Sequence, residues 1–184
     1  MKDEELVKLC LKKDRLAERA LYDRFAGQMF AICMRYMRNR EEAEDVFQEG
    51  MIKVYNKLGT WQGSGPLGGW MRKVFIHMSL NHIKAHRKKI FSDIENLPEP
   101  ENELADALDD LSAEEILKTI QSLPLGYKTV FNLFAIEGYS HAEIASLLGV
   151  SESTSKTQFL KAKAKLKTIL TTEKMDSHYE PLEK

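Results

Sequence analysis

The sequence predicts an all-α chain made of two small helical domains joined by an acidic linker. Three observations carry that expectation. Apolar residues recur at three- and four-residue steps through both ends of the chain, the period of a helix with one buried face. Helix punctuation stands between these stretches: Asn39 as an N-cap, a capping box at Ser140 and Glu143, and Gly149 at a helix end. Charge is also partitioned along the chain. Residues 1–90 carry a net +7, residues 91–115 a net −10, residues 116–172 a net +4 and residues 173–184 a net −2. The formal net charge of −1 for all 184 residues hides two basic blocks around an acidic strip.

Composition removes several classes. AVILMFWYC residues make up 43%, enough for packed cores and too many for wholesale disorder. The longest apolar run, Met29 to Met34, is far short of the roughly 20 residues of a membrane span. No apolar segment follows the charged start, so no secretory signal is expected. Cys10 and Cys33 form no C-x-x-C pair and sit in apolar helical patterns, which suits small core residues in a reducing cytoplasm. No repeat of fixed period is present.

The expected domains are 1–90 and 113–172, with a linker at 91–112 and a tail at 173–184. The linker contains Pro98 and Pro100, and helices stop before such residues. Its acids suit a solvated tether, or a mimic of nucleic acid lying in a basic channel of a partner.

The first stretch, Glu5 to Phe25, has apolar residues at Leu6, Leu9, Cys10, Leu16, Ala20, Leu21 and Phe25, which fits one or two short helices. Phe30 to Met37 continues the pattern. After Asn39, a helix over about 40–58 should turn Ala43, Phe47, Met51, Val54 and Leu58 inward. Glu41, Glu44, Asp45, Gln48, Glu49 and Ile52 then lie on its other faces. Acids on a helix usually mark a solvated face, but Ile52 adds apolar area and suggests docking.

Residues 59–69 hold five of the ten glycines and read as a loop. Trp61 and Trp70 at its ends would clasp the loop base, or form a stacking platform for single-stranded bases beside positive charge. Gly63-Ser64-Gly65 is not a phosphate loop, since no strand precedes it and no G-K-[ST] follows. Trp70 to Ile90 should be a helix with Met71, Val74, Phe75, Met78 and Ile83 inside. Arg72, Lys73, His77, Asn81, Lys84, His86 and Arg87-Lys88-Lys89 face out, a basic surface suited to nucleic acid. His82 and His86 have metal-ligand spacing, but no third ligand stands nearby, so no metal or other cofactor is expected.

In the C-terminal block a helix runs from Pro124 through Tyr127, Val130, Phe131, Leu133 and Phe134 to Gly138. The capping box opens a short helix over 140–148 with Ile144, Ala145 and Leu148 inside. Gly149 turns the chain, and Ser151 caps a helix to about Leu170. This is the helix-turn-helix pattern. Ser155, Phe159, Ala162, Leu166 and Ile169 should face in, leaving Thr154, Lys156, Thr157, Leu160 and Lys161 outward. Lysine can bind guanine or phosphate, threonine can bond either way, and Leu160 can meet a thymine methyl.

Taken together, Arg40 to Glu49 with Lys53-Val54-Tyr55, Gly69 to Arg72 with Asn81-His82-Ile83, and Gly138 to Ala145 with Lys161-Ala162-Lys163 resemble a sigma factor of the extracytoplasmic-function (ECF) group of the bacterial sigma-70 family. The likeness spans about residues 10–172. It implies a region 2 bundle, a region 4 helix-turn-helix and a transcription-initiation role, without enzymatic activity. Glu41, Glu44, Asp45, Gln48, Glu49 and Ile52 would dock on the β′ clamp helices of core RNA polymerase, with the β flap as a further contact. Trp61, Trp70, Arg72, Asn81, His82, Lys84 and Arg87 would hold the promoter −10 element as single strand. Ser140, Thr154, Lys156, Thr157, Leu160 and Lys161 would meet the −35 duplex. The linker would thread the polymerase cleft, and an anti-sigma factor would be a further partner. The chain departs from the family at Leu67-Gly68, His82, Ser155, Lys161 and Lys163, where Phe-Arg, Asp, Val and arginines are usual. Two rival readings are a stand-alone helix-turn-helix regulator and a hydrolase built on Glu44, Asp45, Glu49, His82 and His86.

Overall fold

The computed structural model describes residues 1–85 and 118–176, with side chains to residue 171. All the described secondary structure is helical, in two units that divide between His86 and Arg87. The linker at 91–112, the basic run from His86 to Lys89 and most of the tail lie outside the described residues.

The N-terminal unit begins with α1, Asp3–Leu11, which buries Leu6, Val7 and Cys10. Its three first-turn acids face the positive end of the helix dipole. Lys13 takes a left-handed φ of 61°, and Asp14 then caps α2, Arg15–Tyr36, accepting the N–H groups of Leu16 and Ala17. The stretch left open as one or two short helices is thus two, and the second runs unbroken through the Phe30 segment. It buries Ala17, Leu21, Phe25, Met29, Ile32, Cys33 and Tyr36. Leu16, counted in the apolar pattern, is 83% exposed, because it lies in the first turn away from that stripe.

Asn39 caps α3, Arg40–Lys57, by accepting the Glu42 N–H at 2.8 Å. The buried face is Ala43, Val46, Gly50, Met51 and Val54, whereas Phe47 is half-buried. The inner face is therefore the expected one, with Ala43, Met51, Val54 and Leu58 buried, extended on one side to Val46 and Gly50. Gly50 makes that extension possible: a Cβ there would run into Cε1 of Phe75, so the missing side chain is what lets that ring sit on the helix.

After a 3₁₀ turn at Leu58–Thr60 comes α4, Leu67–Ala85. The expected loop over 59–69 is shorter than its glycines suggest, since Leu67, Gly68 and Gly69 belong to the helix. Two distant residues explain this. Asp3 of α1 accepts the Leu67 N–H at 2.9 Å, and Phe25 of α2 lies 3.1 Å from where a Gly68 Cβ would be. Leu67, Met71, Phe75, Ile76, Ser79, Leu80 and Ile83 are buried, while Val74 and Met78, expected inside, are half-buried.

The C-terminal unit has helical residues at 118–121, then α5, Leu125–Phe131, starting after Pro124. A π-helical turn, Asn132–Ile136, follows, and Gly138 at φ 78° ends it. Next is α6, His141–Leu148, and after Gly149 in the left-handed region (φ 66°) comes α7, Glu152–Asp176. Ile120, Leu123, Tyr127, Ala162 and Leu166 form the core, with Phe131 against it. On α7, Gln158 and Leu170 are buried and Phe159 and Ile169 are half-buried, a small rotation from the expected face. Ser155, Ala162 and Leu166 are buried as the spacing predicts.

Gly50→Val should cost roughly 1–3 kcal/mol of stability, since overpacking forces Phe75 out of a closed core. Urea denaturation followed by far-ultraviolet dichroism checks this; an unchanged midpoint would show that the ring can yield freely.

Candidate functional site

The outward face of α3 is one continuous surface. Glu41, Glu44, Asp45, Gln48, Glu49 and Ile52 are all exposed, and Ile52 is 62% so. With Gly50 and Val54 turned into the core, these positions have no other side to face. Arg40 pairs with Glu44 at 2.7 Å and places its guanidinium 5.5 Å from the Phe30 ring centroid. Beside that pair opens a cleft of about 400 Å³ whose walls include Tyr22, Phe30 and Phe47. Phe47 meets Tyr22 and Phe30 edge-on at 6.1 and 5.7 Å. Sequence reasoning turned Phe47 inward and did not single out Tyr22, which is 41% exposed.

A second surface lies on α4 and the loop before it. Trp61 and Trp70 are both half-buried and line the same cleft of about 410 Å³, with Lys73 on its wall. The Trp61 indole N–H donates to the Gly65 carbonyl at 3.2 Å, which holds the loop closed under the ring. Lys73, His77, Asn81 and Lys84 follow at helical steps and are exposed. Arg72 is half-buried and turns into a different cleft, facing α2. His82 is half-buried, and Arg87 lies outside the described residues. Of the described residues singled out for single-strand binding, Trp61 and Trp70 line the tryptophan cleft, while Asn81 and Lys84 continue along the exposed face of α4. Among the described residues no three His, Cys, Asp or Glu side chains converge as a metal site, and no helix is long and apolar enough to cross a membrane.

The third surface is the helix-turn-helix. The capping box is complete: Glu143 Oε2 accepts the Ser140 N–H at 2.8 Å and its hydroxyl at 2.7 Å, while Ser140 Oγ accepts the Glu143 N–H. Those bonds, the backbone one first, hold the Glu143 carboxyl below its usual range. They also occupy the Ser140 hydroxyl, which leaves its role in holding α6 ahead of any contact with DNA. Ser151 caps α7 through the Thr154 N–H at 3.0 Å and also binds the Thr154 hydroxyl, and Thr154 is half-buried. Lys156, Thr157 and Leu160 are exposed, and Lys161 is half-buried. Lys156 pairs with Glu152 at 2.7 Å, and this bond lowers the Glu152 carboxyl.

Between α6 and α7 the structure places a contact that sequence reasoning missed. His141 Nδ1 is 2.9 Å from Oγ of the fully buried Ser155. The imidazole stacks on Phe134 at 4.3 Å and meets Phe159 edge-on at 5.8 Å. Burial, and then the charge of Lys156, push the His141 pKa down, against a smaller opposing pull from Glu152. A serine among apolar positions of one helix, with a histidine opening the helix before it, was the available signal.

Two family models match the chain. Sigma-70 region 2 covers residues 21–89, and Sigma-70 region 4 covers residues 113–166. The RNA polymerase sigma-H factor of Pseudomonas aeruginosa is 27% identical, covering 88% of this chain and 90% of that protein. The ECF RNA polymerase sigma factor SigM of Mycobacterium tuberculosis is 23% identical over 91% of this chain and 84% of its own. The ECF RNA polymerase sigma-E factor of Escherichia coli is 25% identical, at 88% and 90%. Among solved structures, the sigma factor RpoE in complex with the anti-sigma factor NepR from Bartonella quintana covers 84% of this chain and 97% of that one, with 14% identity and a TM-score of 0.50, a likeness of fold.

A lowered folded-state pKa means that the unfolded state binds the extra proton more readily. His141 therefore contributes stability that is complete above its ordinary pKa of 6.5 and is lost as pH falls toward the folded value. The His141 ring-proton resonance should titrate below pH 6.5, and thermal melting of this unit should drop between neutral pH and pH 5. A midpoint at or above the ordinary value would contradict the stacked, desolvated geometry.

Proposed function

The chain belongs to the sigma-70 family, in its ECF group, and from that premise we propose how its surfaces share the work of promoter recognition. It is an RNA polymerase sigma factor. It binds core polymerase and directs initiation; it is a specificity subunit rather than an enzyme, and the polymerase supplies the chemistry. It works in the cytoplasm, where polymerase and DNA are.

The α3 face is the polymerase-docking surface. Its single most telling feature is Ile52, 62% exposed at the end of a row of acids. Acids alone steer a basic partner and set the encounter rate. An apolar residue beside them gives such a partner something to desolvate, as an interface centre requires. Helices of the β′ clamp are the partner that the family resemblance implies, with the β flap taking the C-terminal unit.

The division of the chain follows the same reading. Residues 1–90 bind polymerase and the −10 element, residues 91–112 act as an acidic strip in the polymerase channel, residues 113–172 read the −35 element, and residues 173–184 form a tail. In the C-terminal unit α7 enters the major groove through its N-terminal half, where Lys156, Thr157 and Leu160 are exposed and Lys161 flanks them. The tryptophan cleft and the Lys73–Lys84 ridge take the −10 strand, by stacking beside positive charge. An anti-sigma protein is a further partner. The rival of a stand-alone regulator accounts for α6 and α7 but assigns nothing to α3, and the hydrolase lacks a converging set of side chains among the described residues.

Asp45→Lys combined with Glu49→Lys should abolish co-purification with core polymerase while leaving duplex binding by the helix-turn-helix intact. Undiminished polymerase binding would sink the docking assignment. Lys161→Ala should weaken −35 duplex binding by about 1–3 kcal/mol and relax preference at one base pair. An equal loss on every sequence would make Lys161 a phosphate contact.

A further inference from the structure

We infer that His141 and Ser155 are positioning residues for the −35 duplex: their hydrogen bond aims α7 at the groove, and it does so only while the imidazole is neutral. The inference rests on the duplex reading of α7 and adds two side chains that reading leaves out. Ser155 is fully buried, so its part is played inside the unit and not on the DNA.

Two points fix the angle between α6 and α7. One is the turn that joins them, where the Gly149 and Val150 N–H groups both donate to the Ala145 carbonyl, at 2.8 and 3.1 Å. The other lies at the opposite end of α6. His141 is the first residue of that helix, and its Nδ1 lies 2.9 Å from Oγ of Ser155 on α7. A turn alone is a hinge, and a bond one helix length away is the stay that stops it swinging. Ile144 and Leu148 are buried and hold α6 in place, but apolar contacts tolerate sliding. A hydrogen bond weakens steeply off its axis and does not. Leu160 lies about 7.5 Å along α7 from Ser155, so a tilt of roughly 10° moves it by about 1 Å. A binding constellation needs placement to within about 0.5 Å. The exposed Lys156, Thr157 and Leu160 all move with the helix.

The bond responds to a proton. A neutral imidazole can accept the Ser155 hydroxyl hydrogen at Nδ1, whereas a cationic ring donates from both nitrogens. The hydroxyl must then turn its hydrogen away, at a position that is 0% exposed. From α7 the ring is faced by Lys156 and Glu152; from the π-helical turn it is faced by Phe134, and that turn has no ionisable side chain. Burial is the first force against the cation, and Lys156 adds to it. Glu152 pulls the other way, but its carboxylate is already bonded to Lys156 at 2.7 Å. Glu143, on α6 itself, is held in the capping box. The face of Phe134 would suit a cation, so the loss falls on the Ser155 bond and not on the stack. As pH falls and the ring charges, the stay is released and α7 loses its aim.

The test uses the full chain assembled with core polymerase. The probes are a labelled duplex that the parent assembly selects from a randomised pool, and a scrambled duplex of the same length. Binding is read by anisotropy, with core polymerase alone as the blank. The readout is the ratio of the two affinities, since charge gained by other histidines at low pH strengthens phosphate contacts on both duplexes alike and cancels. The parent ratio should fall as pH is lowered from about 7.5 to about 5.5. His141→Phe keeps a stacking ring and removes the bond. It should lower the ratio roughly tenfold at the higher pH and abolish the pH dependence, while thermal melting shows the chain still folded. Ser155→Ala should do the same, and the double variant should be no worse than either, because one bond is lost in all three. His141→Asn, whose amide can meet the same hydroxyl without titrating, should recover part of the ratio and hold it flat with pH. Parental ratios in both single variants, losses that add in full, or a parent ratio that ignores pH would each overturn the inference. If Thr157→Ala and Leu160→Ala lower the ratio in that case, the duplex reading of α7 stands without it. If they too bind like the parent, that reading fails, and the inference with it.

Discussion

The N-terminal unit turns on one close approach, between a glycine in the middle of α3 and the Phe75 ring of α4. A glycine in a helix interior costs up to about 1 kcal/mol relative to alanine, so its place there needs a compensating contact. The compensation is a ring seated where a Cβ would collide with it, stacked in turn on Phe47 at 5.9 Å. That contact sets the rotation of both helices. With Gly50 inward, the acids and Ile52 of α3 face solvent. With Phe75 inward, Trp70, Lys73, Asn81 and Lys84 point away from the core. Two chemically opposite surfaces, one acidic and one basic, are thus placed by a single pair of residues.

What sequence could and could not reveal follows from the range of the interactions. Caps are local, and Asn39, Ser140 with Glu143, Gly149 and Ser151 stand where their side chains predict. Exposure of the α3 acids is equally local, since it needs only the helical period. The start of α4 is not local. It depends on Asp3, held by Arg24 at 2.9 Å and reaching Leu67 across 64 positions, and on Phe25 lying over Gly68. A run of glycines read without those partners looks like loop. That the inner face of α3 extends to Gly50 is hidden for the same reason: Gly50 is uninformative until Phe75 is in view. Gln158 and Leu16 reverse the expectation of polarity, one buried and one exposed, and periodicity has no means of marking either.

The two units hold their helices by different means. In the N-terminal unit apolar contacts are joined by the Asp3 carboxylate and by the Tyr55 hydroxyl, which donates to the Glu18 carbonyl at 2.9 Å, and Cys33 is closed away, its thiol pushed up to about 12 by burial. A thiol so rarely ionised is a packing group with little redox reactivity. In the C-terminal unit the angle between α6 and α7 carries a polar contact, His141 with Ser155, inside an aromatic stack. Such a contact has a direction that an apolar pair lacks, which suits a helix whose job depends on how it is aimed.

The placement of the indoles has an optical consequence. The chain has two tryptophans, and both line one cleft of the N-terminal unit. Light absorbed selectively by indole is therefore absorbed at that cleft and nowhere else in the molecule. The α7 helix, by contrast, is silent at those wavelengths. The protein carries its own local lamp: the native emission of an unlabelled chain distinguishes events at the tryptophan cleft from events at the helix-turn-helix.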